Sequence, residues 1–156
     1  MNAFAVNGFE SLAYANCDLS LTARIKAKYS DFVVTEELGF DLDGHGEYVC
    51  LQIQKRNIST LEVAKLLAVA CNVPRSSIGF CGMKDRIGEC TQWFSIKTSE
   101  ISCNSFRSIE NDSIKLVDLN RNRKKLKIGS HRSNHFSLLL RDCEGSPADF
   151  ETRLHH

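Results

Sequence analysis

Residues 48–74 read YVCLQIQKRNISTLEVAKLLAVACNVP, and the spacing of their apolar side chains changes halfway along. In the first part Val49, Leu51 and Ile53 alternate with Cys50, Gln52 and Gln54, the period of a strand with one buried face. In the second part Leu61, Ala64, Leu67 and Ala68 recur at helical spacing, with Leu66 and Cys71 widening the stripe. Ser59 followed three residues later by Glu62 forms a capping box, in which each side chain satisfies an otherwise orphaned backbone donor. Asn72 closes the helix and Pro74 prevents its simple continuation, with one further helical turn fitting residues 74–77. Short alternating runs on both sides of this helix predict the α/β (α+β) class, with a mixed, largely antiparallel sheet and flanking helices.

Towards the N-terminus, residues 23–27 alternate apolar and basic side chains as a half-buried strand does. Residues 32–35 (FVVT) are a second β-rich run, and residues 41–46 supply turn chemistry before the strand at 48–54. The first 22 residues show weak periodicity and read as an irregular arm. Towards the C-terminus, residues 78–81, 91–96, 114–119 and 136–140 read as strands. Ser146-Pro147 reads as a helix start with proline at its first position, and the sequence stops about two turns later. That pattern predicts one domain over residues 23–156, cut within a helix.

The 156 residues are 42% hydrophobic and 25% charged, with two prolines and nine glycines, which excludes a mainly disordered or collagen-like chain. The apolar run at 66–71 is far short of the roughly 20 residues needed to span a bilayer, so no membrane is expected. The first basic residue is Arg24, so residues 1–23 lack the charged start of a signal peptide. The cysteines number seven, an odd count with no Cys-x-x-Cys pair, which suits free thiols in a reducing cytoplasm and offers no zinc spacing. His131 and His135 are read as loop and strand residues, not as ligands.

The net charge of +1 hides a segregated distribution. Between residues 31 and 54 there are six acids and no Lys or Arg; between 119 and 132 there are six bases and no acid. A basic stretch of that density suits a polyanion and equally suits a solvated hairpin. The loop at 82–88, GMKDRIG, is the sharpest local feature. Its end glycines permit close approach of another molecule. Lys84 and Arg86 flank Asp85, and neighbouring cations favour the charged form of a carboxylate, which can then serve as nucleophile or base. Taken alone, the loop is more simply a charged surface turn.

The loop belongs to a longer string, residues 80–94 (FCGMKDRIGECTQWF), which resembles the catalytic motif of the TruD family, the tRNA pseudouridine synthases D. Four other segments resemble the family in the same order. Residues 26–36 (KAKYSDFVVTE) are similar to its N-terminal motif and residues 57–73 to its first helix. Residues 123–129 (RKKLKIG) are similar to its basic hairpin, and residues 133–136 (SNHF) to its Asn-x-Phe element. Five ordered segments are far more specific than one. There are departures. Residue 88 is glycine where the family has alanine, and residue 90 is cysteine where it has threonine, which removes a hydroxyl. Family members are about twice as long, so the resemblance implies the N-terminal portion of a pseudouridine synthase catalytic domain.

The resemblance implies an enzyme that isomerises uridine to pseudouridine in tRNA, at position 13, with no metal and no cofactor. Asp85 would be its catalytic aspartate, acting at the ribose of a nucleotide turned out of its stack. Phe32 and Phe136 would face the uracil and Asn134 its polar edge, although both phenylalanines sit in apolar runs that ordinarily mean core. Lys26, Lys84 and Arg86 would contact phosphate or ribose, while Arg121, Arg123, Lys124, Lys125 and Lys127 would follow the RNA backbone. A monomer is expected at full length. The competing readings are an RNA-binding segment without catalysis and a charge-segregated domain that binds another protein.

Overall fold

The computed structural model describes residues 22–98, 106–148 and 151. The strands are β1 (Thr22–Arg24), β2 (Phe32–Leu38), β3 (Tyr48–Arg56), β4 (Ile78–Phe80), β5 (Glu89–Lys97), β6 (Ile114–Asn122), β7 (His131–Leu138) and β8 (Arg141–Glu144), with helix α1 (Thr60–Ala70) after β3. Residues 25–141 form one compact unit. Residues 1–24 and 142–156 form another, whose described part includes the ion pair Arg24–Asp142 at 2.7 Å.

The larger unit is a six-stranded sheet in the order β6-β3-β5-β2-β7, with β4 also beside β5. Every pairing is antiparallel except β2 with β5. The fold is therefore α+β, on a largely antiparallel sheet. β3 runs along the whole of β5, so β2 and β4 share its other edge: β2 takes Glu89 to Thr91 and β4 takes Phe94 to Ile96. At the fork between them Glu36 Oε1 accepts the Trp93 N–H at 3.0 Å, a side chain standing in for a strand.

The capping box is present: Glu62 N–H donates to Ser59 Oγ, and Ser59 N–H donates to Glu62 Oε2. The helix buries Thr60, Val63, Ala64, Leu67 and Ala68. Leu61 is 50% exposed, so the buried stripe begins at Thr60, in register with 63, 64, 67 and 68 at helical spacing. That stripe meets Val49, Leu51, Ile53, Phe94 and Ile96, all essentially inaccessible. Burial of each large apolar side chain contributes about 1.5–3 kcal/mol.

Several expectations change. The expected strand at 23–27 is shorter and wholly exposed, because Lys26 takes a left-handed conformation (φ 56°). β7 begins at His131, earlier than residue 136, because its start is a polar edge strand whose Ser133 and His135 both hydrogen-bond Glu37 across β2. The basic stretch is not a hairpin. β6 and β7 lie at opposite edges of the sheet, and residues 123–130 cross between them on the face away from α1. Leu126 drives this: it is 2% exposed, packed with Cys50, Cys81 and Trp93. Its N–H donates to Ser95 Oγ at 2.9 Å, and Gly129 N–H donates to Cys81 O at 2.7 Å. Burial pushes the Cys50 and Cys81 thiols up to about 12. No helix among the described residues is long and apolar enough to cross a membrane.

Candidate active site

The loop between β4 and β5 carries Asp85, and its backbone is held from beneath by buried polar side chains. Lys55 Nζ donates to the carbonyls of Asp85 (2.5 Å), Ile58 (3.0 Å) and Lys84 (3.4 Å). Thr60 Oγ accepts the Lys84 N–H at 3.0 Å and donates to Gln92 Oε1 at 2.7 Å. Gln92 Nε2 donates to Gly82 O at 3.2 Å. The Cys90 thiol donates to Asp85 O at 3.4 Å, so sulfur meets the loop at the position where the family motif has a hydroxyl.

Above this base the Asp85 side chain is 49% exposed and accepts from Lys26 Nζ at 3.0 Å. The same ammonium lies 3.9 Å from the centre of the Phe32 ring, and that ring meets Phe136 edge-on with centroids 6.0 Å apart. Carboxylate, cation and two aromatic rings are therefore contiguous. Phe136 is 60% exposed, so it is a surface ring and not core. Phe32 is fixed by its neighbours. Asp31 is buried and takes a two-pronged hydrogen bond from Arg141 at 2.7 and 2.8 Å, which holds its carboxyl below the usual range. Gly88 (φ +155°) closes the loop on Phe32, since a Cβ there would come within 2.8 Å of the Phe32 carbonyl.

The cation beside Asp85 is thus Lys26, not its sequence neighbours. Lys84 turns inward, its ammonium 2.7 Å from Glu36 Oε2 and almost fully buried, which removes it from the surface where a phosphate contact was expected. Arg86 points to Glu62 at 4.0 Å. Asn134 pairs across the strands with Glu36, on the face that holds Phe136, and its Oδ1 is buried without a hydrogen-bond partner among the described residues. Of the basic stretch, Arg121 donates to Gly46 O at 2.7 Å, Lys125 to Ser76 O at 2.5 Å, and Arg123 pairs with Asp43 at 2.9 Å. Arg123, Lys124, Lys125 and Lys127, with Phe40 and Tyr48, line a groove of about 700 Å³. The β3–β5 register sets Tyr48 against Lys97 and Arg56 against Glu89, so this groove and Asp85 lie at opposite ends of the sheet.

The family model for tRNA pseudouridine synthase D (TruD) matches residues 10–156. The chain belongs to the TruD family. The tRNA pseudouridine synthase D of Pseudoalteromonas translucida is 38% identical to this TruD chain over 132 residues, covering 85% of the chain and 38% of that relative. The tRNA pseudouridine synthase D of Aeromonas hydrophila is 38% identical over 145 residues, covering 93% of the chain and 41% of the relative. A solved structure from Methanosarcina mazei assigned to TruD superposes with a TM-score of 0.79 at 26% identity, over 92% of this chain and 32% of that one. The chain thus spans about two fifths of the length of the curated relatives it matches.

Four residues that support the Asp85 loop were given no role by the sequence: Lys55, Thr60, Gln92 and Glu36. A signal existed for three of them. In strand alternation Lys55 shares a face with Val49, Leu51 and Ile53, Gln92 with Phe94 and Ile96, and Glu36 with Val34. A charged or amide side chain in an otherwise apolar inward row is buried, and a buried polar group needs partners. For Thr60 the helix-stripe assignment to Leu61 concealed it.

Proposed function

We propose that this chain is the segment of a tRNA pseudouridine synthase that supplies the catalytic aspartate, Asp85. The observation that carries the reading is the half-exposed Asp85 carboxylate, paired with Lys26 and adjoining Phe32 and Phe136. An exposed ion pair is worth about 0–1 kcal/mol, so Lys26 exchanges its partner for a ribose or phosphate oxygen at little cost. A uridine turned out of its stack sets its uracil against the exposed ring of Phe136, with the ribose towards Asp85. The carboxylate then either attacks C1′ or removes the C2′ proton, and the C1′–N1 bond breaks. The uracil turns and rejoins through C5, whose hydrogen leaves to water while N1 gains one. The change is redox-neutral and the aspartate is regenerated. Position 13 of tRNA is the site proposed by the family resemblance.

The direct test uses a tRNA labelled with tritium at uracil C5. The complete protein is expected to release label to water, and a protein that binds this RNA without release does not have the proposed activity. The second reading, RNA binding without turnover, is favoured by the basic groove, which lies away from Asp85. Under either reading Lys124 and Lys127 contact phosphates. Replacing both with Ala weakens RNA binding and lowers the slope of log affinity against log salt by about 1.4–1.8. Binding that ignores both replacements favours a protein partner.

A further inference from the structure

The ammonium of Lys55 has three donors, and each of the three hydrogen bonds it makes goes to a backbone carbonyl: Ile58, Lys84 and Asp85. The residue is 1% exposed, in the inward row of β3 among apolar side chains. No carboxylate is within ion-pair distance of it among the described residues. A bare cation in that position is costly, and the carbonyls are what compensate it. The dependence runs both ways. The carbonyls of two successive loop residues, 84 and 85, converge on one point, and carbonyl oxygens repel one another unless a cation sits between them. The Asp85 backbone therefore holds its observed course because Lys55 lies beneath it.

We infer that Lys55 is a positioning residue for the proposed reaction: it sets where the Asp85 carboxylate stands by fixing the carbonyls of residues 84 and 85 from inside the sheet. Lys55 touches no substrate. This rests on the proposed function above, and it assigns the aim of the carboxylate to a different side chain from Lys26, the cation on its solvent side. Thr60 holds the same stretch through the Lys84 N–H. The loop is thus fixed at the Lys84 amide and at the two carbonyls that flank the Asp85 Cα, which is what a group aimed to a fraction of an ångström requires.

The test compares the complete protein with its Lys55→Met and Lys55→Arg variants, measuring single-turnover tritium release, RNA affinity, and amide hydrogen exchange across residues 83–88. Met keeps the length of the side chain and removes the donors. Its turnover is expected to fall on the order of 10²-fold, as a misplacement of about 1 Å does. RNA affinity stays within threefold, and faster exchange is confined to the loop. Arg, which still offers donors to the carbonyls, restores part of the rate. A folded Lys55→Met protein with unchanged turnover overturns the inference, as does lost turnover with unchanged loop exchange. If Lys55→Met does not fold, Thr60→Val decides: turnover down about tenfold at unchanged affinity supports anchoring from beneath, and unchanged turnover overturns it. If the unaltered protein releases no label, the proposed function is what fails. The exchange measurement then still decides whether Lys55 holds the loop.

Discussion

The loop at 82–88 and the crossover at 123–130 are built from similar materials, lysine, arginine and a glycine at or next to the end, yet they are fixed by different means. The loop lies over a buried polar layer: Lys55, Thr60, Gln92 and the Glu36–Lys84 pair each bind its backbone or side chains inside the sheet. The crossover is held by one apolar anchor, Leu126, by single backbone hydrogen bonds to Ser95 and Cys81, and by pairs nearer the surface such as Arg123 with Asp43. A single carboxylate that must meet one atom needs directional restraint, which hydrogen bonds provide and apolar contact does not. A surface that meets a repeating polyanion needs charge in roughly the right place, and one buried leucine with two backbone hydrogen bonds is a sparser anchor than the polar layer under the loop.

That contrast can be broken at either end. The largest effect on stability is expected at the loop's polar base. Glu36→Gln leaves the Lys84 ammonium buried without its counter-charge and removes about 3–5 kcal/mol, read from urea unfolding. Adding Lys84→Met to it costs much less than the two changes summed, because the double variant no longer buries a lone charge. Leu126→Ala empties the crossover's anchor and costs about 2–4 kcal/mol. It weakens RNA binding while leaving the rate of the bound complex unchanged, since the loop does not depend on it. A Leu126→Ala protein with slowed chemistry would blur the distinction between the two regions.

The smallest effect is at the crossover's surface pair. Hydrogen bonds from Arg123 hold the Asp43 carboxyl at about 2, against an ordinary value of 3.8. A group whose folded-state value is depressed contributes stability that is full above its unfolded value and lost as pH falls through its folded one. Unfolding midpoints followed from pH 5 to pH 2 should therefore fall less steeply in Asp43→Asn than in the unaltered protein. Equal slopes would remove this pair from the account.

Much of the fold was legible because the helix and most strands obey local periodicity. Ser59 and Glu62 cap α1 as their spacing requires, and β5 follows the apolar run that marks it. What was not legible depended on contacts far apart in sequence. Nothing near Leu126 says that its partners are Cys50, Cys81 and Trp93, so a basic stretch between two strands read as a hairpin. Lys26 read as an alternating base in a strand and, by the family resemblance, as a phosphate or ribose contact, but not as the partner of Asp85. Its left-handed backbone and its partners Asp85 and Phe32 become visible only when residues 26 and 85 are adjacent in space. The Asp85 loop was found as a motif, whereas its support was not, because Lys84 and Arg86 drew attention to the surface while Lys55 lies buried beneath the loop.

The central claim is that the Asp85 carboxylate performs the chemistry, and Asp85→Asn tests it most directly because the amide keeps the shape of the side chain and removes its charge. In the complete protein this variant should bind tRNA within about threefold of the unaltered affinity, since backbone phosphates dominate affinity. Its release of tritium from uracil C5 should fall to background. Release at more than a few per cent of the unaltered rate would contradict the account.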